Sequence, residues 1–271
     1  MYPKLNAMQH KLSKSKAFVR FAIKLRNQAN MIIGYHLGES CKHNLNGEEL
    51  LIRILAPHCK TFVDVGANVG DWTELFLHYC SNECKGLLFE PGNVAIKKLT
   101  EKFSQTANIE IIQMAVGSET GFIDFFEEPD AGITSSVVKD FASPGANSIR
   151  TQIAKLDDEL IAYGWNSVDY LKIDTEGFDY HVLLGAKGFL AQGKLGFIQF
   201  EYNKPWANAN TTLLGALNFL KSYGYACYLI RSDGLYDLNY SLYQEYFRYS
   251  NFLVVSPERK HLVTTLVRGE I

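Results

Sequence analysis

The run Thr61-Phe-Val-Asp-Val-Gly-Ala-Asn-Val-Gly-Asp-Trp72 constrains this chain more than any other segment. A β-branched and aromatic stretch ends near Asp64, Gly66 and Gly70 flank a tight turn, and helical periodicity begins at Val69. This pattern predicts a buried strand that feeds a helix N-terminus through a loop with few side chains. Glycines at such a turn permit left-handed dihedrals and let a ligand approach the backbone. Asp64 at the strand end suits a ligand with an ammonium or other positive group better than a bare phosphate.

Strand and helix periodicities alternate from residue 61 onward. Strands are expected at 61–65, 86–89, 109–114, 168–173, 195–200, 226–230 and 252–255, with helices at 69–79, 94–103, 180–190 and 213–223. The alternation predicts an α/β fold built on a doubly wound, mostly parallel, seven-stranded sheet. The run 86–89 is apolar throughout, as a strand buried on both faces should be. Two departures stand out. Residues 121–126 and 147–156 read as extended pieces around a Gly-, Ser- and Pro-rich loop at 131–145, a β-hairpin insertion placed to cover the carboxyl edge of the sheet. Residues 236–249 hold five tyrosines and a phenylalanine, and the strands around them should include an antiparallel edge pair.

Residues 1–57 read as a helical N-terminal extension and 58–271 as the α/β domain. No Asp or Glu precedes Glu39, whereas Lys4, Lys11, Lys14, Lys16, Arg20, Lys24 and Arg26 are all cationic. Phe18, Phe21, Ala22 and Leu25 fall on one face at helical spacing. Such a helix ordinarily packs its apolar stripe on its own domain. A basic amphipathic helix also suits an anionic membrane surface, so peripheral membrane contact is the second reading. The chain's net charge of −2 argues against a dedicated nucleic-acid binder. No apolar run approaches the ~18–20 residues needed to span a bilayer, and no signal-peptide pattern opens the chain, so a cytoplasmic location is expected. Cys41, Cys59, Cys80, Cys84 and Cys227 are unpatterned; Cys80 and Cys84 lack the second ligand pair of a metal site and read as small buried residues.

Ligands of open α/β sheets bind beyond the carboxyl ends of the strands. Five successive expected strand ends carry polar or glycine-containing clusters: Asp64 to Gly70, then Glu90, Ala115 to Gly117, Asp174 to Gly177, and Glu201 to Lys204. Glu90 lies 24 residues after Gly66, where a carboxylate can accept from both hydroxyls of a ribose. Its other role would be an acid at the start of the next helix, after Pro91 and Gly92. A dinucleotide fingerprint needs a middle glycine that Gly66-Ala-Asn-Val-Gly70 lacks, and no phosphate loop of the G-x-x-x-x-G-K-[ST] type occurs. The acid and the G-x-x-x-G turn fit S-adenosylmethionine, whose amino group and sulfonium are cationic.

Four motifs in order, Phe62-Val-Asp-Val-Gly-Ala-Asn-Val-Gly70, Leu88-Phe-Glu-Pro91, Ala115-Val-Gly-Ser118 and Leu171-Lys-Ile-Asp-Thr-Glu-Gly177, resemble the FkbM family of S-adenosylmethionine-dependent methyltransferases, with Val182-Leu-Leu-Gly-Ala186 extending the match. The resemblance implies a class I, Rossmann-like fold. It also implies that Asp64, Gly66, Ala67, Asn68 and Gly70 hold the methionine part of the cofactor, Glu90 and Pro91 its ribose, and Ala115 and Val116 the adenine edge. Asp174 would lie beside the methyl group. Such enzymes typically methylate hydroxyls of saccharides, glycans or natural products.

A hydroxyl acceptor must lose its proton as its oxygen attacks, so a carboxylate or histidine within reach is required. Asp174 is the first candidate, followed by Glu176 and Glu201, with His181 a weaker one. Asp174, Glu201 and Asn203 also form an oxygen-rich set suited to Mg²⁺. Ser135 and Ser136 would lid the site, and Tyr202 and Trp206 would stack on a sugar face. Two other readings remain open at this point: a nicotinamide-dependent Rossmann oxidoreductase, and a catalytically silent cofactor-binding module held at a membrane by the basic helix.

Overall fold

The computed structural model of the chain describes residues 3–40, 42–132 and 135–271; Cys41 lies outside them. In chain order its strands are β1 (Thr61–Val65), β2 (Lys85–Phe89), β3 (Ile109–Ile112), β4 (Ala115–Gly117), β5 (Gly121–Glu127), β6 (Asn147–Lys155), β7 (Val168–Ile173), β8 (Leu195–Tyr202), β9 (Ala226–Arg231), β10 (Gly234–Asp237), β11 (Ser250–Val255) and β12 (Val267–Glu270). Nine of them form the main sheet, in the order β12-β10-β9-β11-β8-β7-β1-β2-β3. The expected sheet had seven. The two further strands are β10, which folds back antiparallel on β9, and β12, which runs parallel to β10. Both are four residues long, with polar positions and a glycine apiece, too short to show an alternation in sequence.

Strands β3, β2, β1, β7 and β8 are parallel neighbours, and β11 runs antiparallel to both β8 and β9. The connections run from β1 outward to β2 and β3 on one side, then return to β7 and β8 on the other. The crevice between the carboxyl ends of β1 and β7 is therefore the topological switch point, where doubly wound sheets bind ligands. Parallel strands flanked by helices are buried on both faces. Every residue of β8 and all of β1 after Thr61 accordingly lie in the interior.

The hairpin insertion is present and larger than expected. β5 and β6 pair antiparallel, and β4 joins β6 in parallel to make a separate three-stranded sheet. Ala115 to Gly117, read as the tail of the third strand, thus belong to the roof over the main sheet. The expected helix at 180–190 is two short helices, Asp179–Gly185 and Lys187–Ala191.

On the N-terminal side of Pro57, helix Glu48–Leu55 sends Leu51, Ile52 and Leu55 into the core against Phe62, Tyr170 and Phe197. Helix Lys16–His36 behaves differently, and its stripe does not pack on the domain. Every residue from Ser13 to Ala29 is exposed, Phe18, Phe21 and Leu25 included. The helix meets the domain at its C-terminal end, where Gly34 is buried and Leu37 joins the core. No helix among the described residues is long and apolar enough to cross a membrane. Cys59, Cys80, Cys84 and Cys227 are free thiols.

Gly66 sits at φ +82°, where a side chain is strained, and a Cβ there would collide with the carbonyl oxygen of Asp174. The switch point closes only because this position has no side chain. Gly66→Ala is expected to destabilise the fold by more than about 2 kcal/mol in urea unfolding. Gly164→Ala, with a similar φ of +73° but open space around it, should cost less. Equal losses at the two positions would refute the close approach.

Candidate active site

A cavity of about 140 Å³ lies at the β1/β7 switch point. Its floor is Val65, Gly66 and Asn68 after β1, Glu90 to Gly92 after β2, and Asp174 to Glu176 after β7. The three-stranded sheet and its loop supply the roof: Ala115 and Val116 from β4, Phe125 and Glu127 from β5, and Ser135 and Val137 beyond. Ala95, Met114 and Phe178 complete a largely apolar wall. The ionisable residues lining the cavity are Glu90, Glu127, Asp174 and Glu176, with no Lys, Arg or His among the described lining residues.

The backbone of the glycine loop is already engaged. Gly66 and Ala67 both donate their N–H to the Phe89 carbonyl (2.9 and 3.1 Å), Asn68 donates to Glu90 Oε2 (2.9 Å) and Gly70 to the Ala67 carbonyl (2.8 Å). A pyrophosphate would need those donors. Those four amides are therefore spent within the protein, and the nicotinamide-dinucleotide reading loses its physical basis. Asn68 is held at φ +46° with its buried Oδ1 lacking any partner. A buried acceptor left open at a cavity wall invites a ligand donor.

Glu90 serves two elements at once. Oε1 accepts from Gly92 N–H (2.8 Å) and Oε2 from Asn68 N–H, so the β1 loop is stitched to the turn after β2. Burial nevertheless pushes its carboxyl up to about 7, against the pull of those two amides. Glu127, absent from the sequence reading because it falls just past the expected strand, accepts from Val94 N–H (2.6 Å) and caps the helix Asn93–Phe103.

Asp64 does not line the cavity. It is buried on the opposite face of β1, where its Oδ2 accepts from Thr73 Oγ1 (2.6 Å), and burial raises it to about 6. Side chains alternate along a strand, and Val65 rather than Asp64 has the parity that faces the cavity. Ala67 packs with Leu88, Leu99 and Phe103. Gly70 faces Phe103 and Leu99. Both shape the loop without lining the site.

The carboxyl end of β7 carries the densest charge. Asp174, Glu176 and Glu201 bring carboxylate oxygens within 4.8 Å of one another. Asp174 Oδ2 accepts from Lys172 Nζ (3.1 Å), a fully buried ammonium that also faces Glu48 Oε1 (3.5 Å). Burial, then Asp174, hold Glu176 and Glu201 well above the usual carboxylate range. Glu176 occupies the left-handed region at φ +51°, unusual for a side-chain-bearing residue, and Ser136 Oγ donates to its carbonyl (2.8 Å). Asp179 accepts from Thr175 Oγ1 (2.9 Å) and Glu201 N–H (3.1 Å), tying the ends of β7 and β8, and burial raises it to about 7.

Several expected contacts prove to be structural. Asn203 donates its Nδ2 to Glu176 Oε2 (3.0 Å) and Glu201 Oε1 and keeps a buried, unpartnered Oδ1; the clustered carboxylates are those of Asp174, Glu176 and Glu201. Glu201 itself is buried behind Glu176, off the cavity wall. Ser135 reaches the cavity, whereas Ser136 is a buried strap on Glu176. Tyr202 donates to Glu245 Oε2 (2.8 Å), and Trp206 donates Nε1–H to the Glu201 carbonyl (2.9 Å) and stacks on Tyr180. Both rings are fully buried, which leaves neither face open to a sugar. His181 stacks on the back of Phe178 (4.2 Å between centroids) and bonds Ser118 Oγ (3.3 Å).

Lys172 and Glu48 were missed in the sequence. The available signal was a lysine inside an otherwise apolar strand, which demands a buried acid as partner. Glu48 binds His43 Nδ1 (2.7 Å), Asn46 Nδ2 (2.6 Å) and Gln199 Nε2; burial opposes its ionisation, but Lys172 and these donors outweigh it and bring it down to about 2.

A pH signature follows for the ligand-free protein. Asp64, Glu90 and Asp179 are raised to about 6, 7 and 7 in the fold, so their contribution to stability is present at acid pH and lost as pH rises through those values. His43, raised through its bond to Glu48, acts in the same direction. Glu48 ionises far below this window and adds no slope there. The melting temperature should therefore fall between about pH 5 and pH 8, and Glu90→Gln should flatten the fall. A melting temperature rising across that range would contradict the assignment.

Comparison with known proteins places this geometry. Residues 64–227, more than half of the chain, match the sequence model of the methyltransferase FkbM domain. No match to a curated protein was found. Among solved structures, the methyltransferase FkbM from Methylobacillus flagellatus KT is 14% identical with a TM-score of 0.47; the alignment covers 72% of this chain and 43% of that one, so this chain spans less than half of its length. An rRNA methylase from Streptococcus thermophilus is 11% identical (TM-score 0.43, 80% and 99% covered), and an O-methyltransferase from Bacillus cereus in complex with SAH is 10% identical (TM-score 0.39, 84% and 88% covered). With the domain match spanning the glycine loop, Glu90 and the Asp174-Thr-Glu-Gly177 segment, this chain belongs to the FkbM methyltransferase family.

Proposed function

We propose that the protein is an S-adenosylmethionine-dependent O-methyltransferase acting on an uncharged hydroxyl acceptor such as a saccharide, glycan or natural product. The observation that carries this reading is the acidic character of the cavity: four acidic side chains line it, and no cationic one does among the described lining residues. A low-dielectric site of that sign favours a sulfonium and an ammonium and disfavours a polyanion such as an RNA backbone.

The residues present fit the cofactor. The orphaned Asn68 Oδ1 suits the ammonium, and Glu90 keeps acceptor capacity toward a ribose beyond its two backbone bonds. Ala95, Met114, Ala115, Val116 and Phe125 offer an apolar slot for adenine. When bound, S-adenosylmethionine supplies an electrophilic methyl group, and the protein's share of the work is alignment and proton removal.

Among the three clustered acids, Asp174 is the one held in an ion pair, with Oδ2 on Lys172, and it also lines the cavity. Glu176 and Glu201, pushed up by burial and by Asp174, retain protons to a higher pH. Asp174 Oδ1 is thus assigned as the acceptor of the hydroxyl proton, with Glu176 as a hydrogen-bonding partner of the acceptor. Lys172, Asn203 and protons on the raised acids balance the cluster's charge, so the reading calls on no Mg²⁺.

Asp174→Asn should bind S-adenosylmethionine with near wild-type affinity yet lose turnover on a neutral glycan panel by about 10²–10⁴-fold. Full activity would remove Asp174 from proton transfer. Loss of wild-type activity with chelator would favour a metal-activated hydroxyl, and cofactor binding without turnover on any acceptor would favour a silent module.

A further inference from the structure

Helix Lys16–His36 carries two sequence patterns that the active site does not use. At 100° per residue, Phe18, Phe21, Ala22, Leu25, Ala29, Ile32 and Ile33 form one stripe, and Lys16, Arg20 and Lys24 cluster on the other side. Phe21, Leu25 and Ile32 are 55%, 55% and 71% exposed. Isolated exposed apolar residues are ordinary, but a continuous stripe along a 21-residue helix is not. That helix is ~32 Å long.

The root of the helix is fixed firmly to the domain. Gly34 is buried, and a Cβ there would meet Arg248 Nε at 2.6 Å. Leu37 is fully buried in the main core, Arg248 pairs with Glu39, and His36 stacks on Tyr243. The C-terminal end of the helix is therefore tied to the domain while the stripe stays exposed.

Charge selects the occupant. The first 38 residues contain seven Lys or Arg and no Asp or Glu. Pairing with a second copy would bring two cationic segments together with no acid in either to form the flanking ion pairs that helical dimers use. Arg26 borders the stripe on one side and Lys24 is the member of the cationic cluster nearest its other side; long side chains there can reach to lipid phosphates while the stripe sinks among acyl chains. We propose that helix Lys16–His36 is an interfacial anchor that lies on an anionic phospholipid bilayer and holds the catalytic domain at the membrane surface. The proposal is independent of the acceptor assigned above.

The test is flotation of the full chain with vesicles of phosphatidylcholine alone or of an equimolar mixture with phosphatidylglycerol. The wild type should float with the mixed vesicles, fail to float with the neutral ones, and be released by high salt. Leu25→Glu should reduce partitioning at least about tenfold, since it removes a large apolar contact and adds a repelled charge. Lys24→Glu should weaken it and raise its sensitivity to salt. Circular dichroism and melting of each variant establish that the domain is intact. Absence of flotation, equal flotation with neutral vesicles, or a stable dimer in size-exclusion chromatography that Leu25→Glu dissolves would each overturn the proposal.

Discussion

The ammonium of Lys172, buried on a central strand between Glu48 and Asp174, is the interaction on which the site depends. An unpaired cation at that depth would be prohibitive, so the strand tolerates it only with both acids in place. Removing one partner of a buried pair typically costs about 3–5 kcal/mol because the other charge stays behind. Glu48 belongs to helix Glu48–Leu55, so the helix that covers one face of the sheet is electrically coupled to the carboxylate at the sheet's edge. Gln199 and Tyr170 extend the same polar chain into the core, with Tyr170 donating its hydroxyl to Gln199 Oε1 (2.7 Å). Asp174 is thereby fixed by groups that lie outside the cavity, which is the kind of support a preorganised site needs.

A second constraint is the spending of donors at the glycine loop. In folds that bind pyrophosphate, such a loop turns free amides toward the ligand. Here the amides of Gly66, Ala67, Asn68 and Gly70 close onto the protein's own carbonyls and Glu90. What remains facing the cavity is acidic or neutral. The same glycine pattern can thus serve ligands of opposite charge, and the partner of each amide decides which.

The strand ends were legible because glycines, acids and apolar runs mark them directly in sequence, and β1 and β7 were read to the residue. The face on which a strand-end side chain falls was not legible. Asp64 sits near the correct end of the sheet, yet alternation turns it away from the cavity; Glu201 and Tyr202, neighbours on β8 and so on opposite faces of it, are both buried off the cavity wall. Long-range partners were hidden too. Nothing near Lys172 in sequence announces Glu48, 124 positions earlier, and Ser136 reaches Glu176 only because the β5–β6 insertion folds over the sheet. The N-terminal helix shows a different limit: its amphipathicity was plain, but whether the domain offered a surface to receive it is a property of the fold.

The chain belongs to a methyltransferase family, and the proposal is that its acid-lined cavity takes a cationic cofactor. Titration calorimetry of the full chain with S-adenosylmethionine tests this most directly. The account predicts saturable binding of one equivalent, weakened about tenfold or more in Glu90→Ala by loss of a charged hydrogen-bonding group. No binding, an unchanged affinity in Glu90→Ala, or displacement of the ligand by a nicotinamide dinucleotide would contradict it.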